Sequence, residues 1–513
     1  MAISNQKKGS ILLIKGIDVE LPDEYIDDSA ARNSENFEVR RNILTKRNGT
    51  SLVGEVIIGT DLEIMAGREF VREDVKYNIR VGRDKVEKYN TTTSLWEDIT
   101  GTTALTGTTT DLFSTAVPML SGQPILCISN GKDVIQKWNT TGTLADLGGT
   151  PPVAKFIQEY KTYLVCANIA GGTDIAQRVQ WCDTADPEKW SDGNSGTVDL
   201  IEDGGSITGL NLFGNYVCIH KNESIYLGYL VSSTDVFKFD RKSTGVGTIA
   251  NGSIQNLPTG EQIFLARDGL HIFNGISALV IKSGVNEEIR DGLNKQYASK
   301  AWSLLVQEKD EVWIGIPIGD QTTGETVYKY NYLTKTILKD TRPLINCAWR
   351  GAATVGLSWD DMIGSWDSNN ERWDGTGLLV SADTLNLSST DGYTYKIDPS
   401  TNSDNAVAVK ARWETKDFIN DQESLCRWNG LQLWAKGNSV RVQYSTDGGD
   451  TWTDATGSPM TINDKYPADS SPDIFYFDVV SSKIRFRFSN DELDGSLAIK
   501  QFIISYTVRE MRQ

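Results

Sequence analysis

Residues 82–91, GRDKVEKYNT, and residues 131–140, GKDVIQKWNT, are two copies of one pattern set 49 positions apart. Each copy follows an apolar run, turns on an Asp (Asp84, Asp133), continues through an aromatic residue and stops on an Asn (Asn90, Asn139). A third copy, ARDGLHIFNG at 266–275, follows Ile263-Phe264-Leu265 and puts Asp268 and Asn274 in the same places. Weaker echoes are YKYN at 328–331 and DGYTYK at 391–396. Physically, each copy is a strand, a tight turn and a second strand ending in a turn Asn, because Asp, Asn and Gly supply the side-chain acceptors and positive φ that tight turns need. A recurrence of about 45–50 residues is that of a four-stranded propeller blade.

The rest of the chain has the same texture. Short β-branched and aromatic runs lie between clusters of Gly, Asn, Asp, Ser and Thr, and 46 glycines supply turns. Helical periodicity is nearly absent; Asn286 to Tyr297 is the best candidate helix. The expected fold is all-β: a β-propeller of six or seven blades over residues 51–400, preceded by an extended arm and a leading strand at 1–50. From 401 to 513 the strands alternate apolar with polar side chains, as in SVRVQY (439–444) and KIRFRF (483–488), which predicts a C-terminal antiparallel β-sandwich.

A length of 513 residues allows several cores, and a net charge of −17 disfavours a surface that wraps nucleic acid, since phosphate neutralisation needs a Lys/Arg surplus. The run from Arg40-Arg41 to Lys46-Arg47 is expected on a solvated face or a subunit contact. Six dispersed cysteines without a C-x-x-C pair are expected as reduced core residues. The first residues hold only four consecutive apolar positions, and no span of 18 apolar residues occurs, so neither a signal peptide nor membrane insertion is expected.

Candidate chemistry is sparse. STDGGDTW at 445–452 matches the Asp box of propeller glycosidases through Ser445, Asp447, Gly449, Thr451 and Trp452. Turn physics accounts for it without a substrate: Asp447 can accept N–H groups within the turn, the glycines can take positive φ, and Trp452 can cap the layer below. Trp359, Trp366 and Trp373, each followed by Asp, recur every seven residues; they suit either packing between strands or stacking on a sugar. His220 and His271 lie in strand-like runs, and nucleotide, serine-hydrolase and calcium-loop signatures are missing. No catalytic residue, metal ligand or cofactor is expected.

Three stretches carry a family resemblance. Residues 31–49, ARNSENFEVRRNILTKRNG, fit N-x-x-V…L-x-x-R-x-G; residues 181–190, WCDTADPEKW, fit W-x-D-x-x-D-P-x-x-W; and RWETKDF at 412–418 opens the C-terminal region. With the Asp box, the set resembles the tail hub, nozzle or DNA-stabilisation proteins of short-tailed bacteriophages. The resemblance implies a structural virion protein, assembled in the host cytoplasm as a homo-oligomeric ring of six copies. It would lie below the portal and its adaptor, next to tail fibre or spike proteins, with DNA passing through the lumen and not bound by sequence. It implies no catalytic residues. The alternative is a propeller glycosidase or depolymerase, or a glycan-binding receptor-recognition protein, which would need a paired-carboxylate site or exposed tryptophans of the 359–373 stretch.

Overall fold

The computed structural model describes residues 6–7, 9–57, 59–102, 105–170, 175–231, 236–282, 284–352, 383–419, 425–462 and 472–508. The chain is all-β; among the described residues the one α-helix is Asn286–Gly292, ending where Leu293 turns to extended backbone, well short of the expected Tyr297. No helix among them is long and apolar enough to cross a membrane.

Among the described residues, seven four-stranded antiparallel units follow one another. Five are separate sheets, spanning 64–98, 114–146, 153–199, 207–244 and 255–280. The sixth (302–341) and seventh belong to larger sheets. The seventh takes three strands from Ile345–Ala352, Asp383–Ser389 and Thr394–Asp398, and its fourth is Gly49–Leu52, which pairs antiparallel with Thr394–Asp398. A strand that precedes the first unit therefore completes the last.

Successive units meet through their first strands, except that the fourth and fifth meet through the turn Asn251–Ser253 and the Gln262 amide, which donates to the Leu212 carbonyl; the strand Ile345–Ala352 returns to Ile64–Arg72 and closes the ring. Side chains join neighbours around this ring. Arg68 donates to the Thr115 carbonyl at 2.7 Å and to Glu159 at 2.8 Å, while the Trp349 indole donates to Asn78 at 2.7 Å across the closure. Gly67 is required at that closure, because a Cβ there would lie 2.1 Å from the Trp349 ring. The topology is propeller-like, with apolar layers between adjacent units.

Two further sheets follow. One joins Cys426–Gly437, Asp473–Ser481 and Leu497–Val508; the other joins Ala411–Thr415, Ser439–Ser445 and Lys483–Asn490. They share a core that includes Trp413, Trp428, Phe486, Phe488 and Phe502. Residues from the N-terminal region complete both sheets. Ala31–Glu35 pairs antiparallel with Ala411–Thr415, and the hairpin Phe37–Arg40/Ile43–Lys46 pairs with Leu497–Val508. Ala31–Glu35 also meets Ile337–Thr341 of the sixth unit in parallel, so one sheet runs from that unit into the terminal region. The region expected as an extended arm and a leading strand thus supplies, through residues 31–52, strands to the terminal sheets and to the last unit of the ring.

Candidate functional site: the seam between the ring and the terminal sheets

Each of the five motif residues of the N-x-x-V…L-x-x-R-x-G segment has a definite structural task. Asn36 takes a positive φ of 58° between two strands; its side-chain oxygen accepts from Arg47 Nε at 2.8 Å and from the Thr341 N–H at 3.1 Å, and its amide donates to the Lys410 carbonyl at 2.8 Å. One side chain thereby links the N-terminal segment, the sixth unit and the connection to the terminal sheets. Leu44 is fully buried in the terminal core, with Val39 packed at its edge. Gly49 passes so close to residue 403 that a Cβ would meet the Ser403 carbonyl oxygen at 1.9 Å.

Arg47 is the centre. Its guanidinium, 1 % exposed, grips Asp404 with both terminal nitrogens (2.9 and 2.5 Å), donates to the Thr341 and Asn48 carbonyls, and lies 3.8 Å from Asp340. Asp340 is itself buried and shared with Lys329 at 2.7 Å and Arg342 at 3.2 Å. Lys329 also donates to the Phe37 carbonyl, and Glu38 next to it pairs with Lys309 and Arg40, each at 2.7 Å. Trp313 carries Lys309 and Arg342 over its ring and donates to Glu311 at 2.8 Å. The expectation of a solvated face or subunit contact for the run from Arg40-Arg41 to Lys46-Arg47 is corrected in part: Arg40 and Arg41 are exposed, but Lys46 and Arg47 are buried, because partners about 300–450 positions away fold over them.

The charges tune one another as such a cluster must. Burial alone would raise the Glu38 carboxyl, but Lys309, Lys329 and Arg40 outweigh it and hold it far below the usual carboxylate range. Asp404 is likewise lowered, burial being overcome by Arg47. Arg47 is raised: burial opposes its charge, and Asp404 more than offsets it. Glu311 moves the other way, because burial dominates there. Beside the cluster a cavity of about 450 Å³ is lined on one side by charged residues of the seam, Arg47, Arg342 and Asp404 among them, and on the other by apolar ones such as Leu344, Leu387 and Tyr395.

The repeat turns form a second, distributed set. Asn90, Asn139 and Asn274 all sit where the third strand of a unit turns into the fourth, and each side-chain oxygen accepts backbone N–H groups two or three residues on. Asn331, from one of the weaker echoes, does the same for residues 333 and 334. Asp84 and Asp133 also share one role: Asp84 holds the N–H and hydroxyl of Thr60, and Asp133 holds those of Thr106, tying the turn between strands two and three to the connection that leads into the unit. Asp268 departs from the pattern; it is exposed, 3.6 Å from His271.

The other singled-out residues are placed as follows. In the Asp box, Gly449 N–H donates to the Ser445 hydroxyl at 2.9 Å, and Thr451 N–H donates to Asp447 at 3.0 Å, whose carboxyl is held well below its usual range by the Ser445 and Thr451 hydroxyls. Trp452 lies against the Arg487 guanidinium, 3.8 Å from its ring centre. Alternate residues of the neighbouring strand are basic and each is matched: Lys483 and Arg485 by Asp417, Arg487 by Glu414. In the 181–190 stretch Asp183 accepts from the N–H groups of Thr184 and Asn194, and Glu188 reaches the second unit through Lys137 and the Gly148 N–H. His220 is fully buried against Gln262 at 2.8 Å, burial bringing it down to about 4, and His271 stacks on Phe264. The six cysteines are free, five of them buried. Trp359, Trp366 and Trp373 lie outside the described residues.

Against known protein families and curated protein sequences the chain has no match. Among solved structures it is similar to BamB from Moraxella catarrhalis (10% identity, 69% of this chain and 97% of that one, TM-score 0.34). It is also similar to the Pan2 WD40 domain of Neurospora crassa (10% identity, 71% and 88%, TM-score 0.28). At these values neither likeness bears on function.

Proposed function

We propose that the chain is a structural subunit of a short-tailed bacteriophage tail, a hub or nozzle protein that assembles into a ring and extends the DNA channel. In this reading the seven four-stranded units are seven blades, and the two terminal sheets form a β-sandwich docked on them. The observation that carries the reading is the seam. The segment that resembles this family, 31–49, is the one whose Asn36, Arg47 and Gly49 fasten ring to terminal sheets. A part that must keep its shape while genome DNA passes needs domains that do not swing, and a buried ion cluster such as that of Arg47, Asp404 and Asp340 suits a fixed relative orientation more than added stability.

The excess of acidic residues, 68 against 51 basic, suits a lumen that repels phosphate and does not trap it. Ring assembly also suits the outer strands of the units, whose free edges can be covered by neighbouring copies. The test is cryo-electron microscopy of the purified protein and of virions carrying it. The expected result is a closed ring with a central channel, located at the tail. A particle that stays monomeric at high concentration and is missing from virions would overturn the reading.

A further inference from the structure

The seam contains a buried charge that lies outside the ion cluster. Lys46, on the strand Ile43–Lys46, is 1 % exposed, and its Nζ donates to the side-chain oxygen of Asn490 at 2.8 Å and to the Glu492 carbonyl at 3.3 Å. Among the described residues no carboxylate lies within ion-pair distance of it. Asn490, 3 % exposed at the end of Lys483–Asn490, is fixed by its own amide, which donates to the Ser439 carbonyl at 2.9 Å and faces the Ser439 hydroxyl at 3.3 Å. A Cβ at Gly495 would lie 2.8 Å from the Asn490 oxygen, so the other side of the carboxamide is closed by backbone. A buried amine is thus held against a buried, immobilised primary amide that lies 444 positions further along the chain.

We infer that Lys46 and Asn490 form an intramolecular isopeptide bond that covalently fastens the N-terminal segment to the C-terminal sheet. The neutral Lys46 amine attacks Asn490 Cγ, which lies at most about 4 Å from Nζ given a carbonyl bond of about 1.2 Å. The Cγ–Nδ2 bond breaks and ammonia leaves, carrying away one of the two amine protons; the other stays on the new secondary amide. No oxidant, reductant or cofactor enters the balance. Three features favour the step. Burial brings the Lys46 amine down to about 8, so a sizeable neutral fraction is present in mildly alkaline solution. The product exchanges a buried ammonium, which Asp491, Glu492 and Asp494 favour only from beyond ion-pair distance, for a neutral amide, removing a desolvation cost. The Glu492 carbonyl already accepts from Nζ and remains in place for the new amide N–H.

The experiment is intact mass measurement followed by peptide mapping of the full-length protein, fresh and after incubation at pH 9. The expected result is a mass lower than that of the sequence by one ammonia, and a branched peptide joining residue 46 to residue 490. Lys46→Met, which keeps the buried stem, should restore the full mass. Cyclisation of Asn490 onto its own backbone also loses ammonia, so loss persisting in Lys46→Met would overturn the inference. So would the full sequence mass after incubation, with separate linear peptides for the two residues. Native-protein mapping decides the matter even if a variant fails to fold.

Discussion

The ring units and the seam are built from opposite kinds of contact. Within the first six units, strands pair with strands close by in sequence, and Asn90, Asn139 and Asn274 each close a turn within three residues. At the seam the contacts that join separate parts of the chain are remote: Arg47 with Asp404, Asn36 with Lys410, Lys329 with the Phe37 carbonyl. Local turns are many and interchangeable, so loss of one is absorbed. The seam is single and its charges have no solvent to fall back on, so loss there is felt by the whole chain.

The largest effect expected is that of Arg47→Met, which strands Asp404 without its bidentate partner; about 3–5 kcal/mol of stability should be lost, measured by chemical denaturation. Acid should reproduce part of this. Glu38 and Asp404 are held below their unfolded values, so the stability they contribute is present above the unfolded carboxylate range of about 4 and is lost as pH falls through their lowered folded values. Glu311, raised by burial, opposes that slope, and Glu311→Gln should therefore steepen the acid loss, as pH-dependent denaturation would reveal.

Gly49→Ala comes next. The new methyl would press on the Ser403 carbonyl oxygen and displace the strand that completes the seventh unit, at about 1–3 kcal/mol. Replacing a turn Asn, Asn90 or Asn274, by Ala should cost only about 1 kcal/mol each, and the two effects should add, because the sites share no partner. Asp447→Ala in the Asp box is expected to be mildest: faster amide exchange at Thr451 with the global transition unmoved, since that side chain serves an exposed turn.

The same contrast explains what could be read in advance. The hairpin repeat was legible because its turn chemistry and its pairing partners lie within one short window, and the structure places those Asn residues at equivalent turns. Asp268 shows the limit: the residue type matches the repeat while the partner Thr that Asp84 and Asp133 hold is missing. The strands of 31–46 were not legible as parts of the terminal sheets, since pairing across more than 370 residues leaves no local trace. Lys46 and Arg47 read as surface for the same reason, as charges are normally solvated unless distant partners cover them. No signal in a single sequence could have joined Lys46 to Asn490.

The central claim is that the N-terminal segment makes ring and terminal sheets one cooperative body. Differential scanning calorimetry of the unaltered chain and of the Arg47→Met, Asp404→Leu double variant tests it most directly. One transition for the first, and two separate transitions for the second, is the predicted outcome. Two transitions in the unaltered chain, or a single transition at the same temperature in both, would contradict it.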